Sequence, residues 1–367
     1  MPHCHGAADA IVVRAAGAGA AIITRMTIWF VFNGDADGLC AAHQLRLAGG
    51  AASPPAQVIT GVKRDIGLLA RCDARPGDTV WVADISLDAN RAALERLLAR
   101  GVQVTWFDHH YAGAIPVHAN LRAQIDTSAA VCSGLLVDHS LAGRYRAWAV
   151  TAAFGDNLDE SARDAARSDG LAAQTPEGVN ALAGLAAPAD LAALAELGVL
   201  MNYNAYGETV ADLHVDPAQL FERIAPYPNP HDFLAHDTFA QDQRAAMQAD
   251  LAAAHAAPWL MESASAAAVE LPNAAWARRA QGVFANQLAR AQPQRAHAIV
   301  VRLNDAYSVS VRAPLAAPSG ADALCRQFAS GGGRAGAAGI NHLPSAALNS
   351  FLAAFGQAFA PPGQSQQ

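Results

Sequence analysis

Val102-Gln103-Val104-Thr105-Trp106-Phe107-Asp108-His109-His110 is the stretch of the sequence that decides the fold. Its first six residues are rich in β-branched and aromatic side chains, as in a buried strand. One carboxylate and two imidazoles follow directly. Open α/β sheets bind their ligands beyond the carboxyl ends of the strands. The stretch therefore predicts a strand that delivers Asp108, His109 and His110 to a functional edge.

Two other apolar runs end in the same way. Residues 28–32 lead into Asp35 and Asp37 in a glycine-flanked turn, and residues 79–83 lead into Asp84. Because parallel strands present their carboxyl ends at one edge, these side chains are expected to meet those that follow residue 107.

Short apolar runs alternate with helical patterns over the first third of the chain, which predicts a doubly wound, mostly parallel sheet. The predicted strands are 28–32, 57–60, 79–83 and 102–107, and the predicted helices are 38–48 and 89–100. Helical patterns then dominate, at 128–141, 145–154 and 179–202. The fold class is therefore α/β.

Prolines at alternate positions, Pro226, Pro228 and Pro230, disfavour both helix and central strand and predict a connection between domains. A smaller α/β domain is expected beyond it, and its nine-residue segment 331–339 is predicted to be a glycine-rich turn. The predicted units are a catalytic domain at 26–225, a linker and connecting helix at 226–259, a substrate-binding domain at 260–360 and a disordered tail at 361–367.

The first 25 residues are rich in Ala and Gly, with neither a basic cluster nor a cleavage pattern. We interpret residues 1–25 as a disordered or misassigned extension. Met26 lies two residues before the first strand, so translation from Met1 and from Met26 both stay open.

Composition limits the function classes. The chain has 367 residues, of which 52% are hydrophobic, and a formal net charge of -7. It lacks the basic field of a protein that tracks long duplex nucleic acid. No apolar run is long enough to cross a bilayer. The five cysteines include no CxxC pair, which argues against a zinc–thiolate site or a disulfide framework and favours a cytoplasmic location.

Hard oxygen donors and one imidazole suit Mn²⁺ or Mg²⁺ better than zinc, and the imidazole favours Mn²⁺. The candidate set is Asp35, Asp37, Asp84, His109 and Asp156. Facing carboxylates repel one another unless cations intervene. Two divalent cations sharing a carboxylate would supply hydroxide for phosphoester hydrolysis. Each acid taken alone could be a turn or helix-cap residue, so only the joint pattern carries this interpretation.

The sequence resembles the DHH phosphoesterase superfamily from about residue 28 to residue 345. The matching motifs are Asp35-Ala36-Asp37-Gly38, Asp84, Asp108-His109-His110 and Asp156, and the C-terminal part resembles the DHH-associated domain at 308–312, 331–334 and 337–339. The resemblance implies a metal-dependent hydrolase with its active site in the cleft between two domains.

The resemblance also implies individual roles. Asp35 would bind one cation, Asp84 would bridge two, and Asp37, His109 and Asp156 would complete the sites. His110 would contact the scissile phosphate, and Asp108 would orient an imidazole.

For the C-terminal domain, the resemblance implies a substrate clamp. Arg312 and Arg334 would contact phosphate, and the backbone of Gly331, Gly332 and Gly333 would approach an anion closely. A flexible surface turn is the alternative for the glycines. Two departures from the family concern Val31, where many members that cleave short oligonucleotides have histidine, and Arg334, where histidine is usual.

The leading hypothesis is a phosphoesterase that acts on short single-stranded oligonucleotides or small nucleotides. A RecJ-like single-strand exonuclease and a non-catalytic nucleotide sensor are the alternatives, and an inorganic pyrophosphatase is disfavoured by the missing upstream histidine. No membrane partner is expected, and a homodimer stays open.

Overall fold

The computed structural model describes residues 26–50, 56–167 and 188–361. Its first sheet is parallel throughout, in the order β2-β1-β3-β4-β5. The strands are β1 (Ile28–Phe32), β2 (Ala56–Ile59), β3 (Thr79–Ala83), β4 (Gln103–Asp108) and β5 (Leu121–Ile125). This is one of the two common strand orders of doubly wound sheets. The predicted mostly parallel sheet is confirmed.

Helices cover both faces of this sheet. Their bounds are α1 (Ala36–Gly49), α2 (Arg91–Ala99), α3 (Ser133–Ser140), α4 (Arg146–Gly155), α5 (Asp159–Arg167), α6 (Pro188–Asn204), α7 (Pro217–Ile224) and α8 (Pro230–His236). Helix α2 packs Leu94 and Leu97 on one face. The opposite face packs Phe30 and Phe32 against α1 and the helices that follow it. Both faces are buried, as in doubly wound folds.

A second, mixed sheet forms the C-terminal body, in the order β10-β11-β9-β8-β7-β6. Its strands are β6 (Trp259–Glu262), β7 (Ala266–Leu271), β8 (Ala296–Arg302), β9 (Ala306–Arg312), β10 (Gly331–Arg334) and β11 (Ala337–Pro344). Its helices are α10 (Ala275–Ala291), α11 (Ala321–Cys325) and α12 (Leu348–Ala358). One face packs on α10, and the other packs on α11 and α12.

The two bodies are joined through helix α9 (Phe239–His255). Its first residue, Phe239, is buried in the core of the first body, and Leu251 is buried in the core beneath α10. The proline segment at 226–230 does not separate the cores, and the predicted division into a linker and connecting helix at 226–259 stays a prediction. The proline segment links α7 and α8 of the first body, and the carbonyl of Tyr227 accepts a hydrogen bond from the indole NH of Trp148 in α4 (3.1 Å).

Two local predictions need correction. The helix expected at 128–141 begins only at Ser133, and the glycine-rich run at 331–339, predicted as a turn, forms strand β10, a two-residue turn and the start of β11. Strand β5 was not predicted. A Cβ on Gly331 would lie 1.8 Å from the carbonyl oxygen of Cys325, so close packing of backbone on backbone requires glycine at this position.

The predicted segments 1–25 and 179–187 lie outside the described residues, as does most of the tail. The four described cysteines are buried and free of disulfides. Across the described ranges, no helix combines the length and apolar character that crossing a membrane requires.

Candidate active site

The turn after β1 places two carboxylates at the sheet edge. Asp35 is the N-cap of α1, and its side chain accepts a hydrogen bond from the NH of Gly38 (3.1 Å). A Cβ on Gly38 would lie 2.1 Å from the carbonyl oxygen of Asn33, so this tight turn requires glycine. Asp37 lies in the first turn of α1, where the NH groups of Ser133 and Gly134 donate to its two oxygens (2.8 and 2.7 Å). Helix α3 thus fixes the direction of Asp37.

Asp84 follows β3 with a left-handed backbone, at φ 58°. Few side chains adopt this conformation readily, and Asp and Asn are among them. The Asp84 NH donates to the carbonyl of Phe107 (3.0 Å), which keeps the ends of β3 and β4 together. The Asp84 side chain is only 3% exposed and points into the acidic cluster.

Three of the carboxylates that the sequence predicted to converge lie around the imidazole of His109. Its Nε2 lies 3.9 Å from Asp37 Oδ2, 3.4 Å from Asp84 Oδ1 and 3.6 Å from Asp156 Oδ2. Asp156 is the C-cap residue of α4. Three segments far apart in sequence therefore surround one imidazole nitrogen.

Asp108 contacts His110 rather than His109. Its Oδ1 lies 2.8 Å from His110 Nδ1, and the Asp108 side chain is fully buried. This contact raises the pKa of His110, more strongly than burial lowers it. Because Nδ1 is engaged by Asp108, Nε2 of His110 is left for another partner. Asp108 is thus the residue that orients the second imidazole of the tripeptide.

The acidic cluster carries more negative charge than the nearby cationic side chains neutralise. Burial, together with the charges of Asp35 and Asp37, raises the pKa of Asp84 well above its usual range. Burial and the charge of Asp37 likewise raise the pKa of Asp156 to about 6. In both cases burial is the larger cause and the negative charge of the neighbouring carboxylates adds to it.

Lys63 supplies the positive charge that the cluster does have. Its ammonium forms an ion pair with Asp35 and lies 3.9 Å from Asp156 Oδ1. Burial alone would raise the pKa of Asp35, but the Lys63 charge and hydrogen bond outweigh it, so the pKa is lowered. For Lys63, the nearby negative charge outweighs burial and raises its pKa.

The donor set fits a divalent cation. Asp84, His109 and His110 each offer one ligand atom within 4.8 Å of the other two, the one such group in the described residues. Asp35, Asp37 and Asp156 add oxygen donors around it. Oxygen donors with imidazole suit Mn²⁺ and Mg²⁺, and the charge excess is what such cations would relieve.

A cavity of about 480 Å³ opens beside this cluster, between the two bodies. Lys63, Arg64 and Tyr206 line it from the first body, and Arg312 and Asn341 line it from the second. The Arg312 guanidinium donates to Asn286 Oδ1 (2.6 Å) and to Ser310 Oγ (3.0 Å). Within the described residues it contacts no carboxylate, and Glu208 is the one carboxylate that also lines the cavity.

The other predicted substrate residues are placed differently. Gly331, Gly332, Gly333 and Arg334 form β10 at the edge of the second sheet, and none of them lines the cavity. Arg334 is exposed at the end of that strand. Their role in binding an anion stays a prediction.

Several residues that shape the site have no local sequence signal. Ser133 and Gly134 hold Asp37 from 96 and 97 positions away. Asn202 accepts a hydrogen bond from the NH of Ala36 (3.1 Å) and donates to the carbonyl of Gly155, so it joins the turn of Asp35 to the helix end of Asp156. Only the folded chain reveals such partners.

No protein-family model and no curated protein matches the sequence. Among solved structures, the chain superposes on exonuclease RecJ bound to manganese with a TM-score of 0.50 and 18% identity, covering 92% of this chain and 91% of that one. RecJ of Thermus thermophilus in complex with Mn²⁺ also gives 0.50, at 19% identity over 91% of this chain. The chain spans about half, 52%, of that second protein. The chain therefore shares the fold of exonuclease RecJ.

This fold agrees with the resemblance to the DHH superfamily noted in the sequence, and it confirms the predicted α/β architecture with a second sheet domain. In this fold the strand ends of the first body face the second body, and the Asp108-His109-His110 tripeptide lies at the end of β4. At 18–19% identity the likeness establishes the fold alone, so activity and substrate rest on the residues of this chain.

Proposed function

We propose that this protein is a metal-dependent phosphoesterase that hydrolyses short single-stranded oligonucleotides or small nucleotides. The observation that carries the proposal is the convergence of Asp37, Asp84 and Asp156 on Nε2 of His109, near a cavity to which Arg64 and Arg312 contribute cations that contact no carboxylate in the described residues. The two RecJ structures hold manganese, which supports a divalent cation in this fold.

Asp35, Asp37, Asp84, His109 and Asp156 would hold two cations, Mn²⁺ first and Mg²⁺ second, which lower the pKa of bound water enough to supply hydroxide near neutral pH. Within the chain, Asp108 holds the His110 ring so that Nε2 faces outward, where it can donate to a phosphoryl oxygen. Arg312 would bind a second anionic group of the substrate in the cavity.

The cavity supports a short substrate. Its volume lies within the range of sites that enclose small ligands. The net charge of -7 also argues against a long basic path for nucleic acid. Four buried free thiols support a cytoplasmic location as part of the proposal.

A RecJ-like single-strand exonuclease is the second candidate. It is favoured by the superposition on RecJ over more than nine-tenths of both chains. The two candidates share the chemistry and differ in the length of nucleic acid that contacts the protein.

The proposal is tested by assaying the purified protein with Mn²⁺ against short RNA, short DNA, cyclic dinucleotides, nucleoside bisphosphates and bis-p-nitrophenyl phosphate. We expect hydrolysis of at least one substrate, abolished by a chelator and restored by Mn²⁺. Turnover that survives chelation would contradict a metal-dependent mechanism.

A matched pair of variants distinguishes the effect of losing a carboxylate in the cluster from the general effect of losing any carboxylate. Asp84→Asn should remove detectable hydrolysis, because it takes away the charge at the centre of the cluster. Asp73→Asn changes an exposed carboxylate that pairs with Arg100, and it should leave the rate unchanged. Equal activity of the two variants would exclude this cluster as the reaction centre.

A further inference from the structure

Lys63 belongs to two sites at once. Its ammonium is paired with Asp35 and lies 3.9 Å from Asp156, inside the acidic cluster. The same side chain also lines the cavity between the two bodies, together with Tyr206 and Arg312. No other cation of the described residues is both paired with the cluster and part of the cavity wall.

The backbone of Lys63 is fixed, whereas its side chain keeps freedom. The Lys63 NH donates to the carbonyl of Ala205 (3.0 Å), and the Lys63 carbonyl accepts from Asn33 Nδ2 (3.1 Å). The side chain is 33% exposed, on the cavity side. Because the ammonium sits on a stem of four rotatable carbons, it can exchange partners without movement of the backbone.

The charges around Lys63 favour such an exchange. Asp35 and Asp156 are two of the carboxylates that would hold divalent cations, and a divalent cation competes with an ammonium for the same oxygens. Once its carboxylates were taken, an ammonium left beside cations would be repelled. The cavity offers the alternative position, where an anionic group of a ligand would attract it.

We propose that Lys63 is an exchangeable internal cation, which neutralises Asp35 and Asp156 in the metal-free protein and turns to an anionic group in the cavity when the carboxylates bind metal. The first part of this proposal, the neutralisation of Asp35 and Asp156, concerns the protein without metal or ligand. The second half rests on the proposed function, since it takes the anionic group to be a phosphate of the substrate.

The first test is the affinity of the protein for Mn²⁺, measured by titration calorimetry on Lys63→Met. An opposite charge within a few ångströms changes the proton affinity of a carboxylate by roughly 10- to 1,000-fold. By the same reasoning, Lys63→Met should bind Mn²⁺ at least about tenfold more tightly than the wild type. Unchanged or weaker binding would overturn the proposal.

Arg64→Met is the matched control for this measurement. Arg64 is the next residue, also lines the cavity, and contacts no carboxylate in the described part of the chain. Its loss should change Mn²⁺ affinity by less than about threefold, as expected for an exposed charge in water. Lys63→Arg, which keeps the charge, should bind Mn²⁺ like the wild type. If Arg64→Met tightens binding as much as Lys63→Met, net charge is responsible and the exchange is excluded.

Unfolding without metal gives a second readout. Lys63→Met leaves the carboxylates uncompensated, so the midpoint of its unfolding transition should be lower than that of the wild type in the presence of a chelator. Addition of Mn²⁺ should raise the midpoint of the variant more than that of the wild type. If the variant requires Mn²⁺ to fold, that requirement is the expected result in its extreme form. Equal midpoints for variant and wild type without metal would contradict the neutralising role.

The second half is tested with inorganic phosphate as the probe. In the Mn²⁺-loaded protein, Lys63→Met should weaken phosphate binding by about tenfold, the loss of one charge-assisted contact. Unchanged phosphate affinity would refute the exchange towards the cavity. Absence of hydrolysis in the wild type, with the metal result intact, would refute the proposed function and leave the neutralising role of Lys63 standing.

Discussion

Asp84 combines a charge at the centre of the site with a backbone that few residues adopt. Its φ of 58° is tolerated by Asp and Asn but costs about 1–2 kcal/mol for other side chains. Its carboxylate is repelled by Asp35 and Asp37. Asp84→Asn should therefore be at least as stable as the wild type without metal, and Asp84→Ala should be about 1–2 kcal/mol less stable than Asp84→Asn.

Denaturant unfolding of the three proteins in the presence of a chelator measures this difference. Alanine and asparagine variants of equal stability would mean that the left-handed backbone carries no strain. A large loss of stability in Asp84→Asn would mean that the carboxylate is stabilising in the metal-free protein.

The acidic residues of the site were predictable because each follows a strand or helix end that periodicity could locate. Asp84 and Asp108 come directly after apolar runs, Asp35 follows another run after two residues, and parallel strands share an edge. Lys63 was not assigned to the cluster, because its loop after β2 has no period and its partners lie 28 and 93 positions away. Long-range ion pairs leave no mark on the local sequence.

At the scale of elements, the glycine run has a composition that is compatible with two different structures. Glycine suits a flexible turn, and it also suits a strand against which another backbone packs closely. From the sequence we predicted a glycine-rich turn over residues 331–339 whose backbone approaches an anion, with a flexible surface turn as the alternative. The carbonyl of Cys325, at the end of α11, decides for the strand because it leaves no room for a Cβ at position 331.

Gly331 and Gly332 form a matched pair for testing this explanation. Gly331→Ala should destabilise the protein by about 1–3 kcal/mol, because α11 or β10 must move to admit the methyl group. Gly332→Ala meets nothing within 4 Å and should change stability by less than about 1 kcal/mol. Denaturant unfolding of both variants is the measurement, and equal losses would contradict the packing explanation.

Helix α1 contains a buried imidazole that makes stability depend on pH. His43 Nε2 lies 3.0 Å from the carbonyl of Tyr227, its ring packs edge-on against Trp148, and burial, with a smaller effect of Arg46, lowers its pKa to about 3. The unfolded value is near 6.5, so the neutral form stabilises the fold above that pH. This stability is lost as pH falls towards 3.

Between pH 7.5 and pH 5 the His43 contribution should fall by about 2 kcal/mol, since each pH unit below the unfolded pKa costs about 1.4 kcal/mol. His43→Gln removes the titration. The free energy of unfolding of the wild type should therefore decrease more steeply over this range than that of the variant. Parallel pH profiles would show that His43 titrates normally in the folded protein.

At the scale of the whole molecule, one buried and one half-buried ion pair connect the bodies. Arg279 of α10 donates to both oxygens of Asp250 in α9 (2.8 and 3.0 Å), and Tyr203 of α6 donates to the same carboxylate (2.8 Å). Arg278 pairs with Asp212 beside them. Both arginines also line the cavity.

Asp250→Ala should cost about 3–5 kcal/mol, because it leaves the buried Arg279 guanidinium without its carboxylate partner. Glu196→Ala removes an exposed bidentate partner of Arg244, also between α6 and α9, and should cost less than about 1 kcal/mol. Urea denaturation of the two variants compares them directly. A similar small cost for both would mean that the bodies do not depend on the buried pair.

The salt dependence of substrate affinity distinguishes a short substrate from a long one. The cavity offers two cations that contact no carboxylate in the described residues, Arg64 and Arg312, with Lys63 as a third on our inference. Each phosphate that such a cation neutralises contributes about −0.7 to the slope of log affinity against log salt for single strands. For a short substrate we therefore expect a slope of about −1.5 to −2, measured from KM at fixed Mn²⁺ between about 50 and 200 mM salt. A groove that follows six or more phosphates would give about −4 or steeper, and that result would favour the RecJ-like exonuclease over the short-substrate enzyme.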